Sequence, residues 1–210
     1  MDEKALFVAA EVIILAVQPK ILLQVLPTIR DYIQDNQVLV SVAAGVSLEE
    51  IEAGIGKHKI ARAMPNTPVT IGEGMSSISV NHQFTDEDRQ TVVQIFESFG
   101  RAKILPEQQI DAVIGVSGSS PAYVYLFIEA LVDGAVAEGM SRKDAYEFAA
   151  QAVLGAAKMV LETGKHPAEL KDAVCSPGGT TIAAVASLEK DGFRAAVMNA
   201  VQAAIQKNRE

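Results

Sequence analysis

The segment Ser176-Pro177-Gly178-Gly179-Thr180-Thr181 combines hydroxyls, two adjacent glycines and the approach to an apolar helix carrying Ile182, Val185 and Leu188. Adjacent glycines free the backbone amides, and a helix start adds unpaired N–H donors and positive partial charge. Such a loop can cradle a carboxylate or a phosphate, with hydroxyls donating further hydrogen bonds. The same composition also describes a plain loop and helix cap. A second group of segments is Val17-Gln18-Pro19, Ala43-Ala44-Gly45 and Met64-Pro65-Asn66-Thr67-Pro68, each closing a short apolar run. Ala and Gly let a flat ligand approach backbone, Asn66 offers an amide and Thr67 a hydroxyl. Gly, Pro and Asn are equally the residues of ordinary strand-to-helix turns.

Other chemistry is thin. His58, His82 and His166 are isolated and lack metal-ligand spacing. Cys175 abuts the Ser-Pro-Gly-Gly loop without a neighbouring base to activate it. Glu129 and Asp133 share a helix face, a spacing that suits a carboxylate dyad or, more commonly, a solvated pair. Gly54-Ile55-Gly56 follows a helix and lacks a third glycine, so it is no dinucleotide fingerprint, and there is no Walker-type loop.

Residues 1 to about 105 alternate short β-rich runs with amphipathic stretches. Runs 12–17 (VIILAV) and 38–44 (VLVSVAA) are nearly continuous in apolar or small residues, with 59–64 (KIARAM) a weaker third, as expected of parallel strands covered on both faces. The links between them are long enough for crossover helices and too long for hairpins. In the first link Ile21, Leu22, Val25, Leu26 and Ile29 recur at helical spacing, and Pro27 is expected to kink or restart that helix. Ser47 with Glu50 forms a capping box for the second. Further strands are expected at 76–80 and 102–105, flanking a helix capped by Thr85 and stopped by Gly100. Beyond residue 107 the pattern is helical, at 107–115, 121–138, 142–163, 167–174, 181–190 and 193–207. Stretches 123–136 and 149–161 are apolar around most of their circumference, which calls for cover on every side. A second copy of the chain would supply it; a single compact bundle is the alternative.

The chain has 210 residues, a formal charge of −8 and 49% hydrophobic residues, enough for a core and too apolar for disorder. Its acidity argues against broad nucleic-acid or anionic-membrane binding. One cysteine leaves no internal disulfide framework and points to a reducing compartment. No secretory signal is recognisable at the start, and the apolar stretch 121–139 carries Glu129 and Asp133, which makes it a poor membrane span. A cytoplasmic protein is expected.

In combination the motifs are specific. The order AVQP, SVAAG, ARAMPNTP, GSSPAYVY and LKDAVCSPGGTTIAAVASLE strongly resembles pyrroline-5-carboxylate reductase, over essentially the whole chain from Val12 onward. The resemblance implies an α/β fold, with a truncated Rossmann-like parallel-sheet domain over 1–106 and an all-α dimerisation and substrate-binding domain over 107–210. It implies hydride transfer from NADPH or NADH to the C=N bond of 1-pyrroline-5-carboxylate, giving L-proline. By resemblance, Thr181 is catalytic through a hydroxyl facing the ring nitrogen, with Ser176 in the same pocket. Gly178, Gly179 and Thr180 complete the substrate cradle. Cofactor contacts carried over in the same way are Val17, Gln18, Ala44 and Asn66. The partner implied is a second copy of the chain, in a dimer often assembled further into rings, with the active site between subunits.

The departures are equally specific. Family members begin with a strand and a Gly-rich turn for the cofactor pyrophosphate, whereas Met1 here stands only eleven residues before Val12. The strand at Val12 is therefore expected to have an unpaired edge, which favours aggregation or a partner strand. Gly164 stands where the family commonly carries Glu, and Ser120 where it usually has Gly. Two classes of function stay open: an imine reductase, and a non-catalytic relative or fragment that keeps the dimer and the ligand pocket.

Overall fold

The computed structural model describes residues 3–209. It contains two compact units, one reaching to Ser119 and resuming at Val201, the other Ser120–Ala200.

The first unit is built on five strands, β1 (Val12–Leu15), β2 (Val38–Ser41), β3 (Lys59–Met64), β4 (Gly74–Val80) and β5 (Gly100–Ile104), in the spatial order β1-β2-β3-β4-β5. The first three are parallel, with Leu15 beside Ser41 and Ser41 beside Arg62. β4 then runs antiparallel to β3, and β5 parallel to β4. The sheet is thus parallel, as expected for its first three strands, except at the β3–β4 pair. The β3–β4 link contains only a 3₁₀ turn (Thr67–Ile71), and a link that short cannot carry the crossover that parallel neighbours need.

Helices α2 (Pro19–Arg30) and α3 (Leu48–Ile55) cover one face, where Leu22, Leu26, Ile51 and Ile55 pack with Leu39 and Ile60. Helix α4 (Asp86–Glu97) covers the other, bringing Val92 and Phe96 against Val38, Val40, Ala61 and Ile78. Neighbouring residues of one strand thus enter opposite cores, which is why the strands read as continuous apolar runs. The short helix α1 (Glu3–Ala9) is closed by the buried Gln37, whose amide donates to the carbonyls of Phe7 and Ala10. β1 pairs with β2 alone, and Ile14 is half exposed.

The local signals act as the sequence predicts at Ser47–Glu50, a capping box, and at Thr85, which caps α4 in a box that Asp88 completes. Two expectations need correction. Helix α2 runs through Pro27 without restarting, because Leu22, Leu26 and Ile29 anchor it to the sheet on both sides of the proline. Gly100 opens β5 instead of ending α4, which is capped by Ser98. With φ +151° it lies against Gly74, whose carbonyl oxygen would be 2.1 Å from an added Cβ, so a glycine pair permits this strand approach. The helix expected at 107–115 is broken into a 3₁₀ turn, α5 (Ile110–Val113) and a π turn (Ile114–Gly118).

The second unit holds α6 (Ser120–Ala137), α7 (Arg142–Thr163), α8 (Pro167–Ala173), α9 (Thr180–Lys190) and the start of α10 (Phe193–Asn208). Ser141 caps α7 through the Asp144 amide, and Gly164 ends it in the left-handed conformation, φ +63°. That backbone explains Gly164, and Ser120 lies at a helix start that does not require glycine. The fully packed core here is small: Val132, Ala145 and Ala149. Tyr125, Leu126, Phe148 and Leu161 are exposed, so one chain does not cover the apolar circumference of α6 and α7.

Candidate active site

At the carboxyl ends of the three parallel strands, the register brings the loops after Leu15, Ser41 and Met64 to one end of the sheet. This is where open α/β sheets hold ligands. Val17 and Gln18 follow β1; Gln18 is the N-cap of α2, with its side chain not engaged in capping and Pro19 behind it. Ala44 and Gly45 follow β2 and are both exposed, and Gly45 has φ +77° with open space where a Cβ would stand. Small exposed residues beside bare backbone fit the flat part of a dinucleotide. No Gly-rich turn for a pyrophosphate accompanies them in the sequence.

Asn66 has a different task. Its Oδ1 accepts from the Met75 amide at 2.8 Å and its Nδ2 donates to the Ser117 carbonyl at 3.0 Å. The amide that the sequence offered to a ligand thus ties its loop to β4 and to the π turn.

In the second unit, Ser176–Gly179 folds as a turn closed by the Gly179 amide on the Ser176 carbonyl at 3.0 Å. Gly178 takes φ +70°, which favours glycine, and Gly179 is the N-cap of α9. Because Gly179 has no side chain to cap them, the first-turn amides of α9, those of Thr180, Thr181 and Ile182, remain available to a ligand. A Cβ at Gly179 would lie 2.4 Å from the Ser176 hydroxyl, so the glycine makes room for that hydroxyl over the helix start. Thr180 and Thr181 are exposed there. The arrangement can serve as a neutral anion cradle edged with hydroxyls. Upstream, Asp172 bonds Lys171 at 2.6 Å and holds its ammonium above the usual lysine range.

The remaining candidates resolve into structural roles. Asp133 pairs with Arg142 at 2.8 Å, so it makes no dyad with Glu129. His166 caps α8, its Nδ1 accepting from the Ala168 amide. Cys175 is a half-buried free thiol. The sequence reading passed over one pair: Arg62, buried in β3, bonded to Glu107 at 3.1 Å. Its signal was an arginine between Ala61 and Ala63 in the middle of a strand.

A sheet with small-residue loops at its parallel strand ends, together with a helical unit carrying a neutral anion cradle, is the build of a two-domain nicotinamide-dependent reductase. Residues 107–210 match the family model described as pyrroline-5-carboxylate reductase dimerisation. The chain is 52% identical over 200 residues to pyrroline-5-carboxylate reductase of Escherichia coli, covering 95% of this chain and 74% of that one. Among solved structures it superposes on a pyrroline-5-carboxylate reductase from Coxiella burnetii with TM-score 0.94 at 33% identity, covering 100% of this chain and 78% of that one. The Plasmodium falciparum pyrroline carboxylate reductase with NADP bound gives TM-score 0.89 at 36% identity, covering 99% and 79%. The chain belongs to the pyrroline-5-carboxylate reductase family, whose members reduce pyrroline-5-carboxylate to proline with NAD(P)H. It spans about three quarters of the length of these relatives.

Proposed function

We propose that this chain carries the substrate side and part of the cofactor side of a pyrroline-5-carboxylate reductase, acting in the cytoplasm as a homodimer that assembles further into rings. The observation that carries the reading is the start of α9, where first-turn amides without a side-chain cap stand beside the hydroxyl-bearing Ser176, Thr180 and Thr181. A carboxylate suits it, because the helix start supplies donors and partial positive charge where the substrate has its one fixed anion. Gly178, Gly179 and Thr180 hold the carboxylate through backbone N–H groups. Ser176 lies over the same helix start and keeps the ring in place.

The nicotinamide cofactor, NADPH or NADH, supplies the hydride. As the imine carbon accepts it, electron density moves to the ring nitrogen, and a donor aimed at that atom lowers the barrier. Thr181 is that donor in our reading; a hydroxyl is a weak acid, so the proton itself comes from water or enters with an iminium substrate. Val17, Gln18 and Ala44 offer backbone and small side chains to the cofactor's flat end, and Asn66 holds its own loop in place beside them. Apolar faces on α6 and α7 suit a second copy. The run Glu107–Ala137 is long and apolar enough by length and composition to cross a membrane, but it lies inside the region matched by the dimerisation model.

The test is initial-rate oxidation of NADPH and NADH with pyrroline-5-carboxylate, comparing the chain with Thr181→Ala. Substrate-dependent oxidation that falls in Thr181→Ala, with cofactor KM little changed, is the expected result. An unchanged rate removes Thr181 from the mechanism. Absence of oxidation by folded, dimeric protein favours the second reading, a ligand-binding and assembly module.

A further inference from the structure

Glu107 Oε1 accepts two hydrogen bonds, from the Leu48 amide at 2.8 Å and from Arg62 Nη1 at 3.1 Å. These donors come from different elements. Leu48 opens α3, directly beyond the loop that contains Ala44, and Arg62 lies in β3, just ahead of the loop that contains Asn66. Local chemistry requires neither bond to be made this way. The Ser47–Glu50 box satisfies the amides of Ser47 and Glu50, and a carboxylate from a distant part of the chain takes the Leu48 amide that the box leaves open. Arg62 is only 7% exposed, its neighbours in β3 are Ile60, Ala61, Ala63 and Met64, and its Nε has no acceptor. A guanidinium in that place is costly unless paired, and an apolar side chain would satisfy the core at least as well. The pair is therefore explained better by what it holds in register than by the stability it adds.

We propose that Glu107 is a positioning residue for the cofactor edge: through one oxygen it clamps the Ala44 loop and the Asn66 loop at a fixed separation. This rests on reading that edge as the cofactor face. Asn66, bonded to Met75 and Ser117, secures the far side of the second loop, so the segment from Glu107 to Ser117 braces both loops from behind.

Glu107→Ala removes both bonds, Glu107→Gln keeps an acceptor for Leu48 but leaves Arg62 uncompensated, and Arg62→Met with Glu107→Gln removes the buried charge altogether. Two readouts are needed. Amide hydrogen exchange should accelerate together in residues 43–48 and 63–67 of Glu107→Ala. The NADPH KM should rise about tenfold while kcat stays within about twofold, the size of effect expected when a binding surface shifts without loss of chemistry. The double variant should recover the melting temperature of the parent and keep the raised KM, which a merely structural role would not produce. Unchanged exchange in either loop overturns the clamp. An unchanged NADPH KM, or a KM restored along with the melting temperature, overturns the positioning role. Should the parent chain oxidise no NADPH, the functional reading fails at that control, and exchange alone decides the clamp.

Discussion

Leu39 and Ile60, in the middle of the sheet, are fully buried, whereas Leu126 on α6 and Phe148 on α7 are each 68% exposed. Both units are rich in hydrophobic residues, but they dispose of them differently. The first closes two cores by itself, because α2 and α3 lie on one face of a sheet and α4 on the other. The second encloses only Val132, Ala145 and Ala149, and leaves apolar grooves along α6 and α10 and between α7 and α8. A sheet with alternating faces can be covered by its own crossover helices, while a helix apolar all round needs neighbours on all sides. In the proposed reading the contrast divides tasks as well: the first unit fixes the strand ends with its own core, and the second holds the ligand cradle and associates with another copy.

Four substitutions break or sharpen this contrast, the largest effect first. Leu126→Asp places a charge on the exposed apolar face of α6; it should leave the first unit folded and abolish association. A variant of unchanged mass by size-exclusion chromatography with light scattering would remove that face from the interface. Leu39→Ala opens a cavity beneath α2 and α3 and should cost about 2–5 kcal/mol in urea unfolding. The loss should not depend on protein concentration, whereas unfolding of the second unit should, because association stabilises only what it binds. Equal concentration dependence in both units would erase the distinction.

Gly179→Ala brings a Cβ against the Ser176 hydroxyl and should lower kcat/KM for pyrroline-5-carboxylate by roughly 10–100-fold, as a displaced binding group does. Its backbone, with φ −76°, accepts alanine, so melting should change little. A melting shift without a kinetic one would make the glycine structural. The smallest effect belongs to Asp88. Burial pushes its carboxyl up, but the Lys59 ammonium at 2.9 Å and the amide and hydroxyl of Thr85 together hold it below the usual aspartate range. A depressed folded-state pKa contributes stability that is present above the ordinary aspartate value and lost as pH falls through the lowered one. Asp88→Asn should cost about 1 kcal/mol at neutral pH, as for a lost helix cap. It should also flatten the fall in stability below about pH 4. A parallel pH profile in the two proteins would exclude the carboxylate as its source.

Much of this was legible because the signals are local. Ser47 with Glu50, and Thr85 alone, stand at the starts of the helices they announce and cap them. The Gly-Gly pair ahead of Ile182 likewise marks a turn and a helix start whose parts are consecutive. What was not legible depends on residues distant in sequence. Whether Pro27 breaks α2 is decided by packing on the sheet. The direction of β4 follows from how little chain separates it from β3. Asn66 looks free until Met75 and Ser117 are folded against it, and Arg62 looks misplaced until Glu107 arrives from beyond β5.

The central claim is that the second unit is completed by another copy of the chain. Light scattering on the purified protein at micromolar concentration tests it most directly. The account predicts a mass of at least twice the 22.3 kDa chain, unchanged on modest dilution. A monodisperse, folded species at the mass of one chain would contradict it.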